Sequence, residues 1–276
     1  MILFPNAKIN LGLDIVGKRP DGYHNIETVM IPVPWTDVLE IVPAEGKEST
    51  LTVSGRKVDC PTEKNLVMRA FRALESEFGL PPVDIYLRKI IPDGAGLGGG
   101  SADAAFTLKG LNSLFELGLT DERLAETAAK LGADCPFFIY NRPMLCTGIG
   151  TEFSPVDVDL SGYSIAIVKP QVSVPTAQAY SRVTPAMPSR HIADVIAESS
   201  VDGWQTTLKN DFEASVFPLY PLVGDIKARL IEMGAAYASM SGSGSAVYGL
   251  FDRGRDILSD SLTELFPDCS VFSSEL

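Results

Sequence analysis

The most informative segment of the sequence is Pro92-Asp93-Gly94-Ala95-Gly96-Leu97-Gly98-Gly99-Gly100-Ser101-Ala102. Five of the seven residues from 94 to 100 are glycine. Glycine loses more conformational freedom on folding than any other residue, so this density indicates a backbone that must approach something closely. The loop follows a predicted strand, in which Val83, Ile85 and Leu87 alternate with polar residues, and precedes a helix predicted from about Ala102 to Leu117. Because a helix start carries unpaired N–H groups and partial positive charge, the pattern predicts a phosphate cradle that needs no basic side chain.

Three other interpretations of the glycine loop compete with the phosphate cradle. The spacing Gly94-x-Gly96-x-x-Gly99 matches the dinucleotide-binding fingerprint, which requires a β-α-β unit with an acid about 20 residues further on. The acids at that distance, Asp121 and Glu122, fall at a predicted helix start instead. A Walker A loop requires a lysine after its glycines, and the sequence has none there. The third alternative is a flexible linker. We favour the phosphate cradle.

Composition restricts the class of partner and the cell compartment. The 276 residues include 35 acidic and 23 basic side chains, giving a net charge of −12, so we expect no nucleic acid and no membrane partner. Hydrophobic residues make up 45% of the chain, which is typical of a globular protein with a large core. The four cysteines are scattered and no Cys-x-x-Cys pair occurs, so we expect reduced thiols, no zinc site and a cytoplasmic protein.

The order of predicted elements indicates an α+β protein, because strands and helices mix without regular β-α-β repetition. Alternation of Ile9, Leu11 and Leu13 with polar residues predicts an N-terminal strand that carries Lys8 and Asn10 on one face. A linker near 156–162 predicts an N-terminal domain over residues 1–155, which carries the glycine loop, and a C-terminal α+β domain over 156–276. A helix is predicted from Arg255 to Phe266.

Three motifs resemble those of the GHMP small-molecule kinases, in the same order along the chain. Residues 92–105 resemble the family's central phosphate-binding motif, Asn6-Ala7-Lys8-Ile9-Asn10-Leu11 resembles its first motif, and residues 239–246 resemble its third. Ala95 and Ala102 depart from the pattern, Ala102 where a second serine is common. The resemblance implies a two-domain GHMP kinase fold with the active site in the cleft between the domains. It also implies ATP as phosphoryl donor, used with Mg²⁺; the residues that bind the metal are unknown.

The resemblance assigns Asp134 as the catalytic base and Lys8 as its partner. The chemistry is compatible, because a carboxylate beside an ammonium stays ionised and the ammonium can offset charge on the transferring group. The plain alternative for Lys8 is an exposed lysine on an edge strand. The alternative for Asp134 is a helix N-cap ahead of Cys135 and Pro136, and that role is compatible with catalysis.

The remaining expected contacts also come from the resemblance. ATP contacts are assigned to Asn65, which could equally be the N-cap of its helix, and to the glycine-rich motif: Pro92, Asp93, Gly94, Ala95, Gly96, Leu97, Gly98, Gly99, Gly100, Ser101 and Ala102. Substrate contacts are assigned to Asn10, Tyr23, His24, Thr176, Tyr180, Gly242, Ser243 and Gly244.

Two further segments resemble the branch of the family that acts on a cytidine-diphosphate-linked tetrol: Asp21-Gly22-Tyr23-His24 and residues 131–136. We expect cytosine to lie between Tyr23 and Tyr180, with His24 bonding the base edge. The alternative is that both tyrosines are ordinary half-buried residues and that His24 caps a strand.

Three other functions stay open from sequence: a homoserine- or mevalonate-type kinase of the same family, an NAD-binding oxidoreductase, and a catalytically silent nucleotide-binding module. We expect a monomer or a weak homodimer that acts on a small molecule. His191 matches no motif, so we expect it at the surface.

Overall fold

The computed structural model describes residues 1–253 and 259–276. The strands are β1 (Ile2–Leu3), β2 (Asn6–Lys18), β3 (His24–Thr36), β4 (Val38–Pro43), β5 (Thr50–Gly55), β6 (Val83–Lys89), β7 (Met144–Thr147), β8 (Glu152–Pro155), β9 (Tyr163–Pro170), β10 (Tyr237–Met240), β11 (Val247–Asp252) and β12 (Cys269–Glu275). The helices are α1 (Leu66–Phe78), α2 (Gly99–Leu114), α3 (Asp121–Ala129), α4 (Cys135–Tyr140), α5 (Thr176–Tyr180), α6 (Ile192–Glu198), α7 (Val201–Thr207), α8 (Glu213–Leu219), α9 (Pro221–Glu232) and α10 (Ser259–Leu265).

The chain forms two compact units that interleave along the sequence. The first unit contains Met1–Ala7, Trp35–Asp93 and Gly98–Arg142, and the second contains Lys8–Pro34, Gly94–Leu97 and Pro143–Leu276. The glycine loop is therefore divided between the units after Leu97. The division into domains at residue 155 and the position of the active site between domains stay predictions.

The first unit packs helices α1 to α4 with a four-stranded sheet of order β1-β4-β6-β5, in which β5 pairs parallel to β6 and the other pairs are antiparallel. Helix α1 is amphipathic, because Val67, Phe71 and Leu74 are buried on one face. The Asn65 side chain accepts a hydrogen bond from the Val67 amide at 3.0 Å, and Gly79 ends the helix in the left-handed conformation.

Helix α2 begins at Gly99, three residues before the predicted start, because Gly98 turns the chain into the helix with φ +74°. It ends at Leu114 rather than Leu117, since the chain leaves the helix through positive φ angles at Glu116 and Gly118. The next element is the helix α3 and not a strand. The β-α-β unit of a dinucleotide-binding fold is therefore not formed here, and that interpretation of the glycines is wrong.

The second unit contains an antiparallel sheet of order β10-β11-β9-β12, and the sheet of order β2-β3-β7-β8 belongs mostly to it. Its core joins distant segments, with Leu13 and Ile15 of β2 packed among residues of α8, α9 and β9 to β11. The helix predicted from Arg255 starts outside the described residues, and its described part is α10. Among the described residues, no helix is long and apolar enough to cross a bilayer.

Candidate active site

Strand β2 carries Lys8 and Asn10 into the interior of the protein, where they are 3% and 2% exposed. The Lys8 ammonium donates a hydrogen bond to Asn10 Oδ1 at 2.6 Å, and Asn10 Nδ2 donates to Thr28 Oγ1 at 3.1 Å. Thr28 donates in turn to the Gly12 carbonyl at 2.6 Å. This chain of hydrogen bonds fixes the orientation of the ammonium. The alternative of an exposed edge-strand lysine is therefore wrong.

The second-unit part of the glycine loop and the turn of the third motif lie beside Lys8 and Asn10. Gly96 has φ +74°, and a Cβ there would lie 1.9 Å from the Ser241 carbonyl oxygen. The Ser241 hydroxyl donates to the Gly96 carbonyl at 2.8 Å. A Cβ on Gly242 would lie 3.5 Å from Lys8 Nζ and 3.3 Å from Asn10 Oδ1. Residues of all three motifs therefore meet around one buried ammonium.

Asn210 holds this turn in place, and sequence reasoning did not identify it. Its amide group donates to the Met240 carbonyl at 2.7 Å and to the Gly242 carbonyl at 2.8 Å. Its Oδ1 accepts from the Phe212 amide at 3.0 Å. No local pattern signals this role, because the carbonyls that it binds are 30 and 32 positions away.

The first-unit part of the motif lies at the start of α2, beside a cavity of about 170 Å³. Three of the predicted ATP contacts line this cavity together: Asn65, Asp93 and Gly100. A Cβ on Gly100 would meet only Leu66 Cδ1, at 3.8 Å, among the described residues. The first amides of α2 therefore lie at a surface where Gly100 leaves room for a ligand. Asn65 both caps α1 and lines the cavity, so its two predicted roles are compatible.

A buried ion cluster supports the same cavity. Lys89 Nζ lies 2.5 Å from Asp37 Oδ2 and 2.7 Å from Asp103 Oδ2. Burial lowers the pKa of Lys89, but the two carboxylates raise it by more, so the ammonium stays charged. Burial raises the pKa of Asp103 to about 7, against the opposing effect of Lys89. The sequence did carry a signal for Lys89: it continues the buried phase of Val83, Ile85 and Leu87.

Asp134 occupies the N-cap position of α4, as the plain alternative predicted. Within the described residues, however, its side chain makes no capping hydrogen bond to the first turn of the helix. The neighbouring Cys135 thiol is hydrogen-bonded to Ser101, and burial raises the pKa of this thiol to about 11. Asp134 is thus adjacent in sequence to a residue that contacts the serine of the glycine-rich motif, and Lys8 belongs to the other compact unit.

Aromatic rings of the predicted substrate site meet in the second unit. The His24 and Tyr180 rings are stacked, with centroids 4.7 Å apart and planes at 21°. Phe212 contacts Tyr180 edge-on at 4.7 Å, and Tyr23 is 63% exposed. Thr176 begins the short helix that ends at Tyr180, one turn away. The structure therefore pairs Tyr180 with His24, and the predicted sandwich with Tyr23 stays a prediction.

His191 has an exposed ring, as expected, and also a partner that the sequence did not reveal. Its Nδ1 lies 2.7 Å from Glu27 Oε2, and the Ile192 amide donates to Glu27 Oε1 at 2.6 Å. Glu27 raises the pKa of His191. Among the described residues, no group of three histidine, cysteine or acidic side chains is arranged to hold a metal ion.

Two models of a known family match the chain. The model of the GHMP kinase N-terminal domain matches residues 65–142, and the model of the GHMP kinase C-terminal domain matches residues 192–268. The chain belongs to the GHMP kinase family. The predicted α+β GHMP kinase fold is thereby confirmed.

Two relatives and one solved structure are named as the same enzyme. The 4-diphosphocytidyl-2-C-methyl-D-erythritol kinase of Parabacteroides distasonis is 50% identical over 276 residues, which is 100% of both chains. The enzyme of the same name from Bacteroides fragilis is 55% identical over 253 residues, 91% of this chain and 92% of its own. A crystal structure of 4-(cytidine 5'-diphospho)-2C-methyl-D-erythritol kinase superimposes with a TM-score of 0.80 at 32% identity, covering 99% of this chain and 98% of that chain.

Proposed function

We propose that this GHMP kinase transfers the γ-phosphoryl group of ATP to the 2-hydroxyl of 4-diphosphocytidyl-2-C-methyl-D-erythritol, in the non-mevalonate route to isoprenoids. The observation that carries the proposal is the 50% identity to a relative of that name over the full length of both chains. The hydrogen-bonded Lys8 and Asn10 beside two glycine turns support it, because they supply the charge and fixed geometry that phosphoryl transfer requires.

ATP is assigned to the first-unit cavity beside Asn65, Asp93 and Gly100. The phosphates would lie against the N–H groups at the start of α2, where unpaired amides and the helix dipole favour anions. Magnesium would enter this cavity as a companion of ATP, with phosphate oxygens and water supplying most of its ligands. The ion would neutralise charge on the phosphates.

Asp134 takes the proton of the acceptor hydroxyl in this proposal, and Lys8 offsets the charge that develops on the oxygen. Asn10 holds the Lys8 ammonium through its Oδ1 and orients the acceptor. Gly242 and Ser243 present backbone amides to the substrate phosphates, and Gly244, whose amide donates to the Ser241 carbonyl at 3.0 Å, closes the turn beside them.

Cytosine is assigned to the aromatic site of the second unit. His24 lies on the Tyr180 ring at 4.7 Å, which supports the placement of a flat aromatic group on this ring. The base would stack between Tyr23 and Tyr180 after His24 leaves that face and bonds the base edge. Thr176 lies one turn from Tyr180 and supplies a further polar contact.

A panel of acceptors tests the proposal against the other kinases of the family. Purified protein with ATP and Mg²⁺ is given the cytidine-diphosphate-linked tetrol, homoserine or mevalonate, and ADP release is measured. We expect kcat/KM for the first to exceed the others by at least about 100-fold, because a site built for polar contacts rejects substrates that lack them. Equal or faster turnover of homoserine or mevalonate would remove the cytidine assignment. ATP binding without turnover of any acceptor would indicate a silent nucleotide-binding module.

A further inference from the structure

The second unit contains a cavity of about 370 Å³ that the proposed reaction does not use. This volume lies in the range that small-molecule sites occupy. Its wall combines charged, hydroxyl and apolar side chains from β2, the segment before α6, helices α6 and α7, and the residues that follow α7. The side chains that bear on its chemistry are Asp14, Arg190, Ile192, Val195, Leu208 and Lys209.

One carboxylate oxygen in this wall has, among the described residues, no hydrogen-bond donor closer than a lysine ammonium 3.5 Å away. Asp14 is only 4% exposed, and its Oδ1 has no hydrogen-bond partner among the residues that the structure describes. Burial raises the pKa of Asp14, because the carboxylate is removed from water without full compensation. Buried polar atoms normally have a partner, so this oxygen marks the position where a donor is missing.

The charges around the cavity favour a cation over an anion. Lys209 Nζ lies 3.5 Å from Asp14 Oδ1 but only 2.8 Å from Asp211 Oδ1, so one ammonium faces two carboxylates. Asp211 is otherwise satisfied, because its Oδ2 accepts from the Ile15 amide at 2.8 Å. Arg190, the other basic residue in the wall, pairs with Glu198. Together with Asp211 and Glu198, which lie beside the wall, these groups are three acidic and two basic, so the local charge is negative. Each basic side chain of the described wall already has a carboxylate partner, so an anion would meet no unpaired cation there.

The rest of the wall selects among cations. A metal ion would need several oxygen or nitrogen ligands, and the described residues contain no group of three that could hold one. The Thr206 and Thr207 hydroxyls donate to the Gly203 carbonyl at 3.1 and 2.9 Å, so toward a ligand their oxygens can only accept.

We propose that this cavity binds a small organic ammonium compound. The ammonium pairs with the Asp14 carboxylate, and the hydrocarbon part packs on Ile192 and Val195. The inference does not depend on the proposed kinase reaction, because none of these residues is assigned to ATP, acceptor or catalysis.

Titration of the full chain with cyclohexylammonium chloride tests the inference, with cyclohexanol as the neutral isostere and sodium chloride as the ionic control. Methyl NMR signals of Ile192 and Val195 report binding at this cavity. We expect saturable shifts in the millimolar range with the ammonium, and at least about five-fold weaker binding of cyclohexanol, since the charge-assisted hydrogen bond is lost. Equal affinity for both compounds, no saturable shift, or shifts confined to the His24 and Tyr180 region would overturn the inference.

Two variants alter the charge balance in opposite directions. Asp14→Asn keeps the shape of the side chain and is expected to weaken cyclohexylammonium binding at least about five-fold. Lys209→Met removes a 66% exposed ammonium that competes for Asp14 and is expected to tighten binding. Unchanged affinity in folded Asp14→Asn, or weaker binding in Lys209→Met, would contradict the proposal. If Asp14→Asn does not fold, the rise or fall of cyclohexylammonium affinity in Lys209→Met still tests the proposal.

Discussion

The position of the Lys8 ammonium depends on hydrogen bonds from two strands, through Asn10 on β2 and Thr28 on β3. A family motif and strand alternation both point to Lys8 and Asn10. Thr28 and Asn210, which complete the hydrogen bonding of strand and turn, carry no local signal. Their hydrogen-bond partners belong to elements that are far away in sequence and come close only when the chain folds.

Among the described glycines, Gly96 leaves the least room for a Cβ atom. Gly96→Ala would place a Cβ 1.9 Å from the Ser241 carbonyl oxygen, at a φ of +74° that is strained for alanine. The contacted atom belongs to the backbone, so relieving the clash would require the chain itself to move. We expect a loss of more than about 2 kcal/mol in the free energy of unfolding, measured by urea denaturation.

Gly100→Ala is the matched control in the same motif. Because its new methyl meets only Leu66 Cδ1 at 3.8 Å among described residues, we expect a stability within about 0.5 kcal/mol of the parent. The methyl would project toward the cavity, so the KM for ATP should rise roughly tenfold or more, the equivalent of one lost hydrogen bond to a charged group. A stable Gly96→Ala, or an unchanged KM in Gly100→Ala, would contradict this description of the loop.

At the scale of elements, the strand β6 and the helix α2 were predicted in type and order, while their ends were not. The helix start was misplaced because glycines have poor helix propensity, and tertiary contacts override it. Lys89, at the end of β6, forms an ion pair with Asp103 in the first turns of α2. It forms a second ion pair with Asp37, the residue that precedes β4. The alternation of β6 is predictable from sequence, but the carboxylate partners of its last buried residue, Lys89, are known only from the fold.

Removal of the Lys89 ammonium tests this connection. Lys89→Met leaves Asp37 and Asp103 buried without a counter-charge, so we expect a loss of about 3–5 kcal/mol in the free energy of unfolding. Arg123→Gln, which breaks an exposed pair with Glu77, is the control and should cost less than about 1 kcal/mol. Similar losses in the two variants would mean that the buried cluster does not join these elements.

At the scale of the whole molecule, family and fold class were accessible from sequence because three motifs keep their order along the chain. The division into compact units was not accessible. The second unit takes Lys8–Pro34 from near the N-terminus, and Leu13 pairs with Asn210 across almost 200 positions. Periodicity reports only local geometry, so contacts of this separation leave no pattern that it could detect.

The same separation makes the proposed partnership of Lys8 and Asp134 the central claim, since the two residues belong to different compact units. A double-mutant cycle on kcat tests it most directly, with Lys8→Met, Asp134→Asn and both together, and with ATP and cytidine nucleotide binding measured alongside. We expect each single change to lower kcat by about 10²–10⁴-fold with binding retained, and the double variant to lose little more than the worse single. Fully additive losses, or near-parental kcat in either single variant, would contradict the account.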